Sequence, residues 1–247
     1  PVSSRNPELD SIIQKKPRII LLNKCDVADS QATTMWLKYF RDKGFYAAAV
    51  DCRTGKGLNS FDSLVKQALK SVIERNDAKG MSGKPLRLMV VGIPNTGKSS
   101  FINRMGKNAK AKVADKAGVT RQNQWFVVGN GIELLDTPGV LWPKFDDPEV
   151  GDKLAFIGSV KDEVTDKETL ACRLLESLAA TRPQAIEDRY KISGISGLQG
   201  WEILEMIGKK RGFLIKGGEI DYERAAVIVA DEFRGGKLGR ITLELPN

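Results

Sequence analysis

The sequence contains no histidine, so histidine general bases and histidine metal ligands are excluded within these 247 residues. Its three cysteines, Cys25, Cys52 and Cys172, have unrelated spacings. They predict reduced, partly buried thiols rather than a disulfide framework or a metal cluster. The longest apolar stretches, such as 88–93, are far shorter than the ~20 residues of a membrane span. With no signal peptide expected either, the composition predicts a soluble cytoplasmic protein that does not enter membranes.

The net charge of +8 is unevenly distributed along the chain. Residues 1–145 contain 24 Lys and Arg against 12 Asp and Glu, a balance of +12, whereas residues 146–247 contain 15 against 19, a balance of −4. A solvated surface is the ordinary explanation of such a basic stretch. A field of one sign also favours a polyanionic partner, and nucleic acid is the obvious candidate.

Hydrophobic periodicity predicts an α/β domain followed by a helical one. Five short apolar runs, at 18–23, 45–50, 86–91, 124–129 and 131–136, are typical of strands, and amphipathic segments such as 61–74 separate several of them. This alternation favours a doubly wound, mostly parallel sheet. From residue 147 onward the period is helical. We therefore predict domains at 1–146 and 147–247, with a polar linker at 76–85 inside the first.

A phosphate-binding loop is predicted at GIPNTGKS, residues 92–99, between a strand and a helix. Glycines allow the backbone N–H groups to approach phosphates closely, and the helix N-terminus adds a favourable dipole. Lys98 can reach the outer phosphates, and the Ser99 hydroxyl can coordinate Mg²⁺. The sequence therefore predicts a nucleoside triphosphate site with Mg²⁺ as its metal.

The segment DTPG, residues 136–139, follows the last predicted strand. Asp136 can hold the magnesium shell, and the N–H of Gly139 can contact the terminal phosphate. A plain turn would explain the four residues alone, but their distance from the phosphate loop favours a partnership. Thr120, in a loop between the two motifs, is the candidate threonine that closes onto the metal; a turn residue is the alternative.

The tetrad NKCD, residues 23–26, follows the first predicted strand and indicates guanine recognition. The Asp26 carboxylate can accept hydrogen bonds from the ring N–H and exocyclic amine of guanine, which adenine cannot donate. Asn23 and Lys24 would brace the loop and cover the base. Asp51, Cys52 and Arg53, at the end of the second strand, would support the base through their backbone. GTP and GDP are therefore the expected ligands.

The motifs occur in the order base reader, base support, phosphate loop, threonine, DTPG, which is the usual GTPase set cut and rejoined elsewhere. Residues adjacent in space rather than in sequence form a site, so such a circular permutation is tolerable. The order, with SSRNP, NKCD, GIPNTGKSSFINR, LLDTPGVLWPKF and a late KRG…GG…DY segment, resembles the ribosome biogenesis GTPase A family over essentially the whole chain.

The resemblance implies a circularly permuted P-loop GTPase domain and a smaller helical domain that contacts ribosomal RNA. It implies a GTP-hydrolysing assembly factor that acts as a switch on precursors of the large ribosomal subunit, and we expect a monomer. The implied nucleotide contacts are Asn23, Lys24, Cys25, Asp26, Asp51, Cys52, Asn95, Thr96, Gly97, Lys98, Ser99, Ser100 and Gly139. The implied metal-site residues are Ser99, Thr120 and Asp136, and Lys98, Thr120 and Gly139 are supporting residues in catalysis.

Three features set expectations for mechanism. Complete domains of this type have six strands and we count five, so we expect an upstream segment to supply the missing strand. Val140 occupies the position at which other GTPases place a water-orienting glutamine, and no residue is assignable as the catalytic group. Asn95 resembles the phosphate-loop asparagine of potassium-dependent GTPases, so slow turnover that K⁺ accelerates is expected.

Two readings remain open from the sequence. One is the GTP-hydrolysing switch. The alternative is a guanine-nucleotide-dependent module that binds RNA or the ribosome and hydrolyses GTP negligibly, which Val140 and the lack of histidine favour. In the helical part, Lys209, Lys210 and Arg211 can contact phosphate or can stabilise a helix C-terminus as cations.

Overall fold

The protein is described from a computed structural model that covers residues 1–14, 16–106, 124–129, 131–142, 147–160 and 166–246. Two compact units are present. The first comprises residues 1–144 together with 242–247, and the second comprises residues 145–241. In the described ranges, no helix combines the length and the apolar character needed to cross a membrane.

The first unit contains alternating helices and strands. In chain order these are α1 (Glu8–Ile13), β1 (Ile19–Leu22), α2 (Ser30–Asp42), β2 (Tyr46–Ala49), a 3₁₀ turn (Leu58–Ser60), α3 (Phe61–Ala68), α4 (Lys70–Ala78), β3 (Leu86–Val90), α5 (Lys98–Met105), β4 (Gln124–Gly129) and β5 (Ile132–Asp136).

The strands form two hydrogen-bonded groups. β1 and β2 are parallel. β5 lies between β3, to which it is parallel, and β4, to which it is antiparallel. No ladder joins the two groups among the described strands. The positions of the strands and their mostly parallel pairing agree with the prediction. The prediction also implied a single continuous sheet, which is not present among the described residues. The expectation of an upstream strand stays a prediction.

Helices cover both faces of the β1–β2 pair, as a doubly wound fold requires. Trp36 and Phe40 of α2 pack with Ala47 on one face. Ala48, the next residue of β2, belongs to the other face, whose cluster includes Val65 of α3. The same cluster contains side chains of β3, β4, β5 and α5, so one core supports both groups of strands.

Residues 61–74 do not form the single helix that the sequence predicts. α3 ends at Ala68 and α4 begins at Lys70, because Leu69 has φ −106° and ψ 15°, outside the helical region. Backbone bonds from Leu69 N to Val65 O and from Ile73 N to Leu69 O span the break. The apolar periodicity therefore continues across it and gives no signal of it.

Residues 242–247 belong to the first unit and not to the helical domain in which the sequence analysis placed them. Trp36 Nε1 donates to the carbonyl of Glu244 at 2.8 Å, and Asp29 N donates to Thr242 Oγ1 at 3.0 Å. The Glu244 carboxylate accepts from the backbone and hydroxyl of Ser3. These polar contacts over long sequence separations, rather than an apolar pattern, place this segment.

The second unit is helical. It contains α6 (Pro148–Phe156), α7 (Lys167–Thr181), α8 (Pro183–Tyr190), α9 (Gly200–Arg211) and α10 (Tyr222–Arg234). α7 packs against each of the other four helices. Its leucines Leu174, Leu175 and Leu178 are fully buried. They therefore form the core of this unit.

Candidate functional site

The phosphate loop connects β3 to α5 in a conformation suited to binding an anion. Asn95 and Gly97 have positive φ values of 60° and 90°, so the chain turns sharply before α5 begins at Lys98. The Thr96 hydroxyl donates to the carbonyl of Ile93 at 2.9 Å and fixes the turn. Successive loop N–H groups followed by a helix N-terminus make a concave site for phosphate oxygens.

Lys98 projects across this loop. Its Nζ donates to the carbonyl of Ile93 at 2.8 Å. Burial lowers the pKa of the ammonium group, and the nearby Asp136 carboxylate partly offsets that shift. A desolvated cation of this kind gains more from a phosphate than an exposed lysine does, because the surrounding dielectric is low.

Ser99 and Asp136, two of the predicted metal-site residues, lie in contact with each other. Ser99 Oγ donates to Asp136 Oδ2 at 3.0 Å, so a hydroxyl and a buried carboxylate at the end of β5 present oxygen atoms together. Oxygen is the ligand that Mg²⁺ prefers, and one or two protein oxygens with phosphate and water suffice for it. The donor set therefore fits Mg²⁺. Thr120, the third predicted metal-site residue, lies outside the described residues.

The segment after β5 lies against the phosphate loop. A Cβ added to Gly139 would lie 2.6 Å from both N and Cα of Pro94 and 2.9 Å from Lys98 Nζ, so only glycine fits there. The Thr137 hydroxyl donates to the carbonyl of Val90 at 2.6 Å and anchors the segment to β3. The Val140 side chain is 60% exposed and has no hydrogen-bonding group.

Asn23 joins three chain segments at the base end of the site. Its Nδ2 donates to the carbonyl of Thr96 in the phosphate loop at 2.8 Å, and its Oδ1 accepts from Cys52 N at 3.1 Å. A Cβ on Gly97 would lie only 2.2 Å from Asn23 Nδ2, which explains the glycine there. Lys24 has a positive φ of 58°, which gives the NKCD loop its tight turn.

The base-support loop, residues 51–56, is held by the buried Asp51. Its carboxylate accepts from Arg53 N at 2.8 Å and from the Thr54 hydroxyl at 2.5 Å. Burial alone would raise the pKa of the Asp51 carboxyl, but these hydrogen bonds outweigh it and keep the pKa below its usual value. Burial raises the pKa of the Cys52 thiol to about 12, so its side chain is an uncharged thiol at neutral pH.

Two arginines form further contacts around this loop: Arg53, which sequence reasoning placed in the base-support segment itself, and Arg104, which it did not assign to the site. Arg53 Nη2 lies 3.0 Å from Asp26 Oδ2. Arg104, from the last turn of α5, donates to the carbonyl of Thr54. Arg104 belongs to no motif and gave no sequence signal, whereas the position of Arg53 directly after Asp51 and Cys52 had placed it in the base-support segment.

The structure thus brings together most of the predicted site residues. The NKCD, base-support and phosphate loops meet at Asn23, and the phosphate loop meets the DTPG segment at Gly139 and Asp136. Cys25 lies beside them, since its N–H donates to the carbonyl of Val50 at 3.1 Å. Ser100 lies in the first turn of α5. The individual roles of these residues toward a nucleotide stay predictions.

No group of three Cys, Asp or Glu side chains forms a cation site in the described ranges. The site therefore combines a loop shaped for an anion, a partly buried lysine, and a hydroxyl and a carboxylate whose oxygen atoms would suit Mg²⁺.

Comparisons with known proteins agree with this geometry. A family model described as 50S ribosome-binding GTPase matches residues 87–189. The ribosome biogenesis GTPase A of Priestia megaterium is 45% identical to the chain, and the match covers 100% of the chain and 86% of the relative. For the ribosome biogenesis GTPase A of Thermotoga maritima the identity is 32%, over 94% of the chain and 78% of the relative.

Solved structures give the same result. The chain is similar to a GDP-bound structure of YlqF with a TM-score of 0.69 and 29% identity, over 100% of the chain and 90% of that structure. A GNP-bound structure of YlqF from T. maritima gives a TM-score of 0.65 at 29% identity, over 100% of the chain and 88% of that structure.

Proposed function

This chain belongs to the ribosome biogenesis GTPase A family, and we propose that it is a cytoplasmic assembly factor that binds precursors of the large ribosomal subunit and is released from them by GTP hydrolysis. The single observation that carries the proposal is the junction at Asn23, where the base-reading, base-supporting and phosphate loops meet. GTP is the substrate, and GDP and phosphate are the products.

The two ends of the site bind different parts of the nucleotide. Asp26 accepts the N1–H and 2-amino group of guanine, Lys24 covers the base, and the backbone of Asp51 and Cys52 supports it. The loop from Asn95 to Ser100 surrounds the phosphates. A carboxylate built to receive two donors rejects adenine, because it would otherwise be buried without them.

Mg²⁺, when bound to Ser99 Oγ and Asp136, supplies positive charge against the phosphate oxygens. Lys98 adds a second, desolvated positive charge and positions the outer phosphates. Gly139 presents its backbone N–H where the terminal phosphate lies, so the DTPG segment responds to the difference between GTP and GDP. Thr120 is proposed as the threonine that closes onto the metal in the GTP state.

Val140 cannot orient the attacking water, so the side chains described here give slow turnover. We propose that K⁺ accelerates it. The observation that supports this is the position of Asn95, whose left-handed backbone places an amide side chain in the phosphate loop next to Thr96. An amide oxygen is a hard ligand suited to an alkali cation, and the cation adds charge where an arginine finger otherwise acts.

The ribosomal partner is supported by charge as well as by family. The excess of basic residues in 1–145 favours a polyanion such as ribosomal RNA. In the second unit, Lys209 pairs with Glu205, and the Arg211 guanidinium lies 5.4 Å from the Tyr190 ring centroid. Of the three neighbouring cations Lys209, Lys210 and Arg211, two thus already have partners within the unit, so we expect any RNA contact there to be local. We expect the protein to act as a monomer.

Co-sedimentation with large ribosomal subunits tests the proposal. We expect binding with a non-hydrolysable GTP analogue and release with GDP. Single-turnover hydrolysis, with and without subunits and in K⁺ or Na⁺, tests the enzymatic part. Rates that are faster with subunits and with K⁺ support the switch. A negligible rate under every condition would favour the binding-module alternative, and equal rates in K⁺ and Na⁺ would argue against the cation.

A further inference from the structure

Asp26, the carboxylate proposed to read guanine, forms an ion pair with Arg53. Arg53 Nη2 lies 3.0 Å from Asp26 Oδ2, and the two side chains are 79% and 26% exposed. Among the described residues, this is the ion pair that holds the charged end of Arg53, and most of its side chain is exposed. Asp26, by contrast, is partly enclosed, as a residue that reads a base must be.

The chemistry of the two candidate partners of Asp26 is closely similar. The N1–H and 2-amino group of guanine belong to a guanidine unit within the ring, and they need both oxygens of a carboxylate to be recognised. The guanidinium of Arg53 offers N–H donors of the same kind and geometry, and it already holds Oδ2. Guanine and Arg53 therefore compete for one acceptor.

We propose that Arg53 is an internal competitor of guanine: it occupies the Asp26 carboxylate as a substitute for the guanine edge and must leave when the base enters. The inference rests on the proposed role of Asp26 in reading guanine. Arg53 thus lowers the apparent affinity for the base.

The backbone around Arg53 explains why only its side chain has to move. Arg53 N donates to Asp51 Oδ1 at 2.8 Å, and Gly55 N donates to the carbonyl of Asp51 at 2.7 Å. Arg104 holds the carbonyl of Thr54 from the other side. The base-support loop is therefore fixed at both ends, and a rotation of the long, exposed side chain is sufficient to release Asp26.

The size of the effect follows from the strength of the pair. Exposed ion pairs are weak, so Asp26 is paired most of the time rather than all of the time. The apparent affinity for a base is reduced by the fraction of protein in which Asp26 is accessible. For a pair of typical strength, that reduction is about two- to six-fold.

The variant Arg53→Ala tests the proposal. Its affinity for GDP is measured by calorimetric titration, and its affinity for inorganic pyrophosphate, which has no base, is measured by displacement of bound GDP. We expect GDP to bind about two- to six-fold more tightly to the variant, with pyrophosphate affinity not increased. Loss of a positive charge near a phosphate site would by itself weaken both ligands, so the expected sign is opposite to that of a general electrostatic effect. Arg53→Gln, the second variant, also removes the charge and should behave as Arg53→Ala does. Arg53→Lys keeps the charge, so its GDP affinity should be close to the weaker affinity of the wild type.

Two results would overturn the proposal. One is a GDP affinity of Arg53→Ala that is equal to or weaker than that of the wild type, which would make Arg53 a neutral residue or a contact of the bound base. The other is equal tightening of GDP and pyrophosphate. Asp26→Ala separates this inference from the proposed function: if Asp26 reads guanine, this variant loses GDP affinity whatever the outcome at Arg53.

Discussion

Asn23 and Thr96 are 73 positions apart in the sequence, yet the side-chain amide of Asn23 donates to the carbonyl of Thr96 at 2.8 Å. The same side chain accepts from Cys52 N at 3.1 Å. One asparagine therefore holds the base-reading and phosphate-binding ends of the site in register. This contact explains how a permuted order of motifs can still form a single nucleotide site.

Asn23→Ala should weaken GDP binding at least about tenfold, because the Thr96 carbonyl and the Cys52 N–H each lose a partner and each such loss costs about 1–3 kcal/mol. Calorimetric titration measures the effect. Asn59→Ala, at an exposed asparagine of the 3₁₀ turn, is the matched control and should bind GDP as the wild type does. Wild-type affinity in Asn23→Ala would show that the junction is dispensable.

Gly139→Ala should weaken GTP binding more than GDP binding. The new methyl group would overlap the backbone of Pro94 and approach Lys98 Nζ, so the DTPG segment or the phosphate loop must move. Titration with GDP and a non-hydrolysable GTP analogue measures the difference. Val140→Ala, one residue further on at an exposed position, is the control. An equal loss for both nucleotides would contradict a contact with the terminal phosphate.

In the second unit, the ion pair of the partly buried Arg189 with the buried Glu232 should make stability depend on pH. Hydrogen bonds from Arg189 outweigh the effect of burial and lower the pKa of the Glu232 carboxyl. A carboxyl whose pKa is lower in the folded state stabilises the fold above its unfolded pKa of about 4.3, and this contribution is lost as the pH falls through the folded value.

Glu232→Gln should therefore lower the free energy of unfolding by roughly 2–3 kcal/mol at pH 7, and the difference from the wild type should shrink as the pH is lowered below about 4. Denaturant unfolding at a series of pH values measures this. Glu223 lies on the same helix as Glu232 and forms an exposed ion pair with Lys167 of α7, so Glu223→Gln should cost less than about 1 kcal/mol. A pH-independent loss in Glu232→Gln would exclude the charge as its cause.

Gly200→Ala should destabilise the second unit by about 1–3 kcal/mol. A Cβ there would lie 2.2 Å from the carbonyl oxygen of Cys172, so α9 would have to move away from the backbone of α7. Gly208→Ala on the same helix is the comparison, because there the Cβ would meet the side chain of Ile220, which can move. Thermal unfolding should give the larger loss for Gly200→Ala; the reverse order would show that α9 is not constrained at Gly200.

The strands and the motif residues could be predicted because their signals are local. Five apolar runs mark the five strands to within one or two residues, and the phosphate loop, DTPG and NKCD each carry their chemistry in consecutive residues. The break at Leu69 could not be predicted, because the apolar period continues through it. The position of the last residues depends on contacts such as that of Trp36 with Glu244, 208 positions away, which no local pattern encodes.

The same distinction applies within the site. The convergence of Asn23 with the phosphate loop was expected from the chemistry of the motifs, since one ligand needs both. The contacts of Arg53 with Asp26 and of Arg104 with Thr54 were not, because a single arginine in a basic chain is indistinguishable from a solvated surface residue until its neighbours are known.

The central claim is that Asp26 and Lys98 bind opposite ends of one guanine nucleotide, and calorimetric titration of GDP and ADP into the wild type, Asp26→Ala and Lys98→Ala tests it most directly. We predict that the wild type prefers GDP by at least about 100-fold, that Asp26→Ala loses most of this preference, and that Lys98→Ala loses affinity for GDP. Equal binding of ADP and GDP to the wild type, or an unchanged preference in Asp26→Ala, would contradict the account.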